Sequence, residues 1–435
     1  MNTKSPNQII KADRVFDAKS GTSFDKGAIK IEGSKIVAIG KQSDFSNVED
    51  AQEYSFEGST LLPGLVDSHV HLTMPGDGSS VEDAMSLPDE LLTLRAAYNA
   101  KNALLLGTTT LRELGAKNST TFRMREGISR GLAIGPRLLL SGRPVTRTGG
   151  HCWMMGSEAD GEDMIRKEVR TLVREGADFI KIMATGGGTA GTISHKTAYT
   201  LAELSSAIDE AHTHGRLTAI HCLSSQAMED VVQSGGDMII HGVFNTSDGA
   251  QVFDPRLAEK IAKSGISVNP TIHVRRIALK IAQQIIDDSE DERQTVQRMG
   301  ELQKNMQNDP DKANMTPQDI IRLLEKGFED RVGNARNLLE SGIKLIAGTD
   351  SGWGAYPIGS FVDELECMEM AGLNPGEVLL SATIEAAKSI GCDDRVGSLE
   401  VGKQADLLVV AGDPTVDIGT LRSVKAVFLA GERVA

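Results

Sequence analysis

Eight short apolar runs, separated by stretches of helical periodicity, constrain this chain more than any other feature. The first is Leu61–Val66. Thr108–Leu114, Arg137–Val145, Asp178–Thr185, Arg216–Cys222, Asp237–Gly242, Ser267–Ile272 and Lys344–Asp350 follow. Runs of this length suit strands buried on both faces. Between them, Leu201, Leu204, Ile208 and Ala211 recur at the spacing of one helix face, and Pro88–Leu106 and Glu162–Glu175 repeat the pattern. A strand–helix alternation repeated eight times predicts an α/β fold of the (β/α)8, TIM-barrel type. In that fold the C-terminal ends of all strands meet at one rim, where chemistry is done.

The flanks read differently. Ile29-Lys30-Ile31-Glu32 alternates, Gly33-Ser34 turns, and Lys35–Gly40 returns. At the far end, Gly397–Gly402 leads into Ala405–Val410, and Val424–Gly431 closes the chain. The expected organisation is a small β-sandwich made from residues 1–62 and 391–435, with the barrel at 63–390. Residues 273–340 are long, charged and rich in helix formers, and read as a helical insertion over the barrel mouth.

The 435 residues suffice for these two units, and the formal net charge of −14 argues against nucleic acid or an anionic membrane as partner. Cys152, Cys222, Cys367 and Cys392 form no CxxC and read as free thiols. With neither a signal-like segment nor a membrane-length apolar run, a cytoplasmic protein is expected. The expected partners are a small-molecule substrate and further copies of the same chain.

Polar residues recur where the runs end. His69 and His71 follow the first run as His-x-His, so on a strand both rings share one face and can grip one metal ion. Lys181 lies inside Phe179–Ala184, His221 ends the fifth run, His241 the sixth and Asp350 the eighth. A buried ammonium is costly unless paired or neutralised. Lys181 is therefore either salt-bridged to a barrel carboxylate, or a neutral amine that takes up carbon dioxide to become a two-oxygen carbamate. Singly, His221 and His241 would pass for core histidines. Together, four histidines, a carbamate and an aspartate could hold two divalent ions.

This set resembles the binuclear branch of the amidohydrolase superfamily. Leu62–His71 and Gly397–Leu407 are similar to its two most recognisable stretches. Lys181-Ile182-Met183-Ala184-Thr185-Gly186-Gly187 and Thr148-Gly149-Gly150-His151 resemble the imidazolonepropionase-like and Xaa-Pro-dipeptidase-like group. The resemblance implies two metal ions, commonly Zn²⁺, at the barrel mouth, with a carbamylated Lys181 between them and a water activated to attack a C–N bond. Asp350 would bind metal and carry the proton from that water to the leaving nitrogen. His151 would hydrogen-bond the substrate carbonyl, and His273, after the seventh run, would line the pocket.

The chain also departs from that group. Its peptidases have a tyrosine two residues after the fifth-strand histidine, where Leu223 stands here. Before the sixth-strand histidine they carry glutamate, replaced by Ile240. Both changes point to a less polar pocket, with Trp153, Met154 and Met155 as an apolar lip. The expected substrate is a neutral, partly apolar amide, urea or carbamate. The alternative is a dipeptide or N-acyl amino acid whose carboxylate meets Arg143, Arg147 or Arg275. A barrel that only binds is the remaining reading.

Overall fold

The computed structural model describes residues 7–46, 51–288, 294, 298 and 316–435. The chain opens with β1 (Asn7–Asp17), β2 (Thr22–Glu32), β3 (Lys35–Lys41) and β4 (Ala51–Pro63). β1–β2 and β2–β3 pair antiparallel, and β1 pairs β4 in parallel. Gly33, at φ 59°, supplies the left-handed residue that the tight β2–β3 turn requires.

Next come β5 (Leu65–Val70), β6 (Thr108–Glu113), β7 (Arg137–Leu140), β8 (Ile180–Met183), β9 (Thr218–Cys222), β10 (Met238–His241) and β11 (Ser267–Asn269). They form two parallel arrays, β5-β6-β7 and β11-β10-β9-β8. Single bridges join the edges of these arrays. Val145 meets Ile182, and the eighth run touches both sides through Val268↔Leu345 and Val70↔Ser351. The eighth run is thus no ladder strand. It is held by separate backbone bonds, among them Ile346 N–H to Val268 O at 2.8 Å and Asp350 N–H to His69 O at 2.8 Å. No continuous eight-stranded ladder closes among the described residues.

Alternation sorts the strand side chains. Ile180, Ile182, Ile220 and Ile239 pack outward with helix residues such as Val169, Leu172, Leu204 and Ile208. Val66, Leu139, Phe179, Ala219, Met238, Ile240 and Ile346 face inward, and Ala386, Ala387 and Ile390 join that cluster. The helix Leu201–Thr213 starts at a capping box in which Thr200 and Glu203 satisfy each other's backbone N–H groups.

β12 (Leu407–Ala411), β13 (Val424–Leu429) and β14 (Glu432–Arg433) return to the first four strands, and β12 pairs β4 antiparallel. The two chain ends join as expected. They do so through one hydrogen-bonded strand order, β14-β13-β12-β4-β1-β2-β3, which curls so that Ile31 and Ile36 share a core with Ala426 and Phe428 and Lys35 bridges Gln404. Of the expected insertion, His273–Asp288 and Pro317–Glu340 are helices that pack through Ala278, Ala282, Ile285, Ile320 and Leu324. Its middle, apart from residues 294 and 298, lies outside the described residues. No described helix is long and apolar enough to cross a membrane.

Candidate active site

The strand ends bring eight of the expected residues to one cavity of about 170 Å³: His69, His71, His151, Lys181, His221, Leu223, His241 and Asp350. At the end of β5 the pairing with β6 slips between Asp67 and Val70, a bulge of the kind that re-aims side chains near active sites. His69 Nε2 and His71 Nε2 lie 3.3 Å apart, and each is 3.2 Å from Asp350 Oδ1.

The far nitrogens decide what those near nitrogens carry. Asn269 donates to the carbonyls of Ile346 and Gly348, both at 3.0 Å, which turns its Oδ1 toward His69. His69 Nδ1–H donates to that oxygen at 2.8 Å. His71 Nδ1–H donates to Gly115 O at 3.2 Å. A carbonyl oxygen can only accept, so each far nitrogen holds its ring's proton and each Nε2 is a bare lone pair. Burial pushes His69 down to about 4, so its ring stays neutral near pH 7. These two lone pairs and the Asp350 carboxyl face one another, and a cation among them would keep the carboxyl ionised. Ligands about 2.0–2.1 Å from a tetrahedral ion sit roughly 3.3–3.4 Å apart, so the triangle fits a divalent cation.

The second pair is looser in what it specifies. His221 Nε2–H donates to Gly186 O at 3.0 Å, leaving Nδ1 bare. His241 Nε2 is 3.0 Å from that Nδ1, and His241 Nδ1 is 2.7 Å from Thr271 Oγ1. The threonine hydroxyl can donate or accept, so this pair accommodates either a proton or a cation between the rings. Burial holds both imidazoles well below the ordinary histidine value.

Lys181 is buried, with Asp350 as the nearest opposing charge acting on it. Burial lowers its ammonium to about 8. His241, Thr271 and Asp350 carry positive φ angles of 68°, 46° and 61°. Such conformations cost about 1–3 kcal/mol each outside glycine and gather at functional sites.

His151 is buried with Nδ1 2.8 Å from Thr189 Oγ1, and the same oxygen accepts from Cys152 N–H at 3.0 Å. Gly187 makes room for the ring, since a Cβ there would sit 2.5 Å from His151 Nε2.

Two expected residues do not reach the cavity. Ile240 points into the barrel interior with Phe179, Met238 and Ile346. It lies below the rim because His241, the next residue, turns over it with positive φ. His273 is buried, and both its ring nitrogens lack a hydrogen-bond partner. The charges acting on it come from Asp363, Lys280, Arg276 and Glu366, while its neighbours Val274 and Arg275 line the cavity. The aromatic lip is Trp353, whose ring centroid is 5.5 Å from His71 and 5.4 Å from His151, rather than Trp153.

Arg275 and Arg331 line the cavity together with Leu223. Arg143 is tied to Glu168 and Glu175 at 3.2 and 2.8 Å. Sequence reasoning missed Arg331, Trp353 and Tyr356, which sit on a helix and in a loop with no local signal of their destination. It also missed Asn269, where a polar residue ending an apolar run was a usable signal. Asp67 was passed over too. It accepts from His69 N–H at 3.1 Å and Thr349 Oγ1–H at 2.9 Å, tying the first and eighth runs together.

Comparison with known proteins places these features in a family context. The model of the amidohydrolase family matches residues 60–434. The imidazolonepropionase of Symbiobacterium thermophilum is 26% identical over 420 residues, covering 90% of this chain and 85% of its own. The ochratoxinase of Aspergillus niger is 24% identical over 442 residues, covering 94% and 82%. Among solved structures, a Xaa-Pro dipeptidase with methionine bound in its active site superposes with a TM-score of 0.82 at 25% identity, covering 98% of this chain and 99% of that one. The fold is therefore of the TIM-barrel type with an added β unit.

Proposed function

Since the chain belongs to the amidohydrolase family and is a hydrolase of carbon–nitrogen bonds, we propose that it cleaves an amide-type bond with two divalent metal ions, zinc being the expected identity. The observation that carries this reading is the trio of bare acceptors, His69 Nε2, His71 Nε2 and Asp350 Oδ1, within 3.3 Å of one another. Buried acceptors in such contact need a cation. His221 Nδ1 and His241 Nε2 would serve the second ion. Residues 63–390 would act as one (β/α)8 unit around this centre, with 1–62 and 391–435 as a separate β unit.

Lys181 would complete the set as a carbamate. The neutral amine's lone pair attacks the carbon of carbon dioxide, an N–C bond forms, and the amine proton leaves to solvent. The product is an anion with two oxygens, placed among the histidines. Bound ions would supply Lewis acidity toward a substrate carbonyl and an acidified water near neutral pH.

The remaining steps belong to the chain's own residues. Asp350 stays ionised and accepts a proton at a carboxylate oxygen, then returns it to the departing nitrogen. Thr189 already accepts from Cys152 N–H. By donating its own proton to His151 Nδ1, it would place the ring proton on Nε2, where it can meet a carbonyl oxygen. Leu223, Val274, Met183 and Trp353 supply the apolar part of the wall and limit access of bulk water.

Chelation followed by readdition tests this directly. Activity on N-acyl amino acids or aryl amides should fall with metal content and return with Zn²⁺. Full activity in protein stripped of metal would refute the proposal.

A further inference from the structure

The helix Asp89–Leu105 is apolar on two sides. Ala96, Ala100, Ala103 and Leu104 are buried in the core. On the far side Leu91, Leu94 and Tyr98 stand open, at 50%, 66% and 67% exposure. The helix Pro255–Ser264 instead turns charge outward, with Arg256, Glu259, Lys260 and Lys263 exposed. Single exposed apolar residues are ordinary, but a contiguous patch marks a contact surface. Leu132 and Ile134 widen the patch, at 80% and 56% exposure, in the loop after the helix Thr120–Ser129. That loop lies beside Asp89–Leu105, since a Cβ on Gly135 would stand 3.5 Å from Ala100 Cβ.

The spacing on the open face identifies its occupant. Leu91, Leu94, Tyr98, Lys101 and Leu105 recur in steps of three, four, three and four residues. That is the seam by which one helix packs along another. A two-fold axis at the level of Ala96 would lay two copies of this seam antiparallel. Leu94 of each copy then meets Tyr98 of the other, and Leu91 meets the stem of Lys101. The same register brings each Lys101 ammonium to Glu90 of the second copy. Glu90 and Lys101 are both exposed, and neither forms an ion pair or side-chain hydrogen bond among the described residues. The adjacent Asp89, by contrast, is tied to Lys117 and Asn118. A parallel pairing would set Glu90 against Glu90 and Lys101 against Lys101. Charges beside an apolar seam select the orientation in this way.

We propose that the open face of Asp89–Leu105, with Leu132 and Ile134, is a two-fold, antiparallel interface between copies of this chain. It is independent of the reaction at the barrel mouth.

Sedimentation equilibrium of the full 46.5 kDa chain reads the assembly. The unaltered protein should contain an even number of chains. Leu94→Glu places a carboxylate in each half of the apolar seam. It should halve that number by raising the dissociation constant about a hundredfold or more. Its circular dichroism should be unchanged, since the side chain is exposed. Charge reversal tests the register without touching the apolar residues. Glu90→Lys alone and Lys101→Glu alone should each associate at least about tenfold more weakly. Mixed together, these two variants should pair about as tightly as the unaltered chain, because both cross-contacts then join opposite charges. A monomeric unaltered chain, which would leave the stripe to another protein or to none, overturns the proposal. So does an assembly undiminished by Leu94→Glu, or a mixture that associates no more tightly than its two components.

Discussion

The cavity is lined by two sets of side chains with different origins. His69, Lys181, His221 and His241 belong to strands β5, β8, β9 and β10, with His71 just beyond β5 and Asp350 on the bridged eighth run. Each of the four histidines has its far nitrogen held by a protein partner: Asn269, Gly115, Gly186 or Thr271. Arg275 and Arg331 belong instead to the helices His273–Asp288 and Pro317–Glu340. Arg331 has one braced N–H group, and Arg275 is only half-buried. The first set is fixed before anything binds, as a metal centre requires. The second set is charged and held by fewer partners. The difference suggests that chemistry is set by the strand ends and specificity by the helices over them.

The largest expected effect comes from the first set. His69→Ala or His71→Ala should lower kcat/KM by about a thousandfold or more, roughly 4 kcal/mol of transition-state stabilisation. Metal content should fall while the far-UV circular dichroism spectrum persists. An active variant with full metal content would place the centre elsewhere.

Lys181→Ala comes next. Activity should drop by about a hundredfold or more. Acetate or propionate should restore part of it by standing in for the carbamate, and no such rescue should occur in His69→Ala. Electron density for a bare amine in metal-loaded crystals grown with bicarbonate would count against carbamylation.

Asn269→Ala probes how far the first set depends on its braces. Losing the acceptor for His69 Nδ1–H should weaken metal affinity about 10–100-fold, the usual effect of removing a partner behind a ligand. An unchanged affinity by competitive chelator titration would show that the tautomer is set by other means.

The smallest effect separates the cavity from the core beneath it. Ile240→Val should cost about 0.5–1.5 kcal/mol in stability by denaturant titration, as a methylene lost from a packed interior. It should leave kcat/KM on N-acyl amino acids or aryl amides unchanged. A change in kcat/KM would bring Ile240 back to the pocket wall.

The same contrast explains what the sequence disclosed. His69, His71, Lys181, His221, His241 and Asp350 were legible because each lies in or closes an apolar run, and parallel strands send all their C-terminal ends to one rim. Ile240 was misplaced because its neighbour His241 leaves the strand at φ 68°, a turn that alternation alone does not foretell. The eighth run was legible as apolar but not as a bridged segment, since ladder pairing depends on its neighbours' register. Arg331 was invisible because a charged residue on an amphipathic helix is ordinarily solvent-facing. Only the packing of that helix against His273–Asp288 carries it to the cavity. The joining of the two chain ends was legible from their alternation, whereas the single continuous sheet depends on β4 pairing with both β1 and β12.

That the four histidines, Lys181 and Asp350 hold metal is tested most directly by mass-spectrometric metal analysis of the purified chain beside its His69→Ala/His71→Ala variant. About two divalent ions per chain are expected in the first and one or fewer in the second, with activity following the loss. Equal metal content in both proteins, or full activity in a chain with less than about a tenth of an ion, would contradict it.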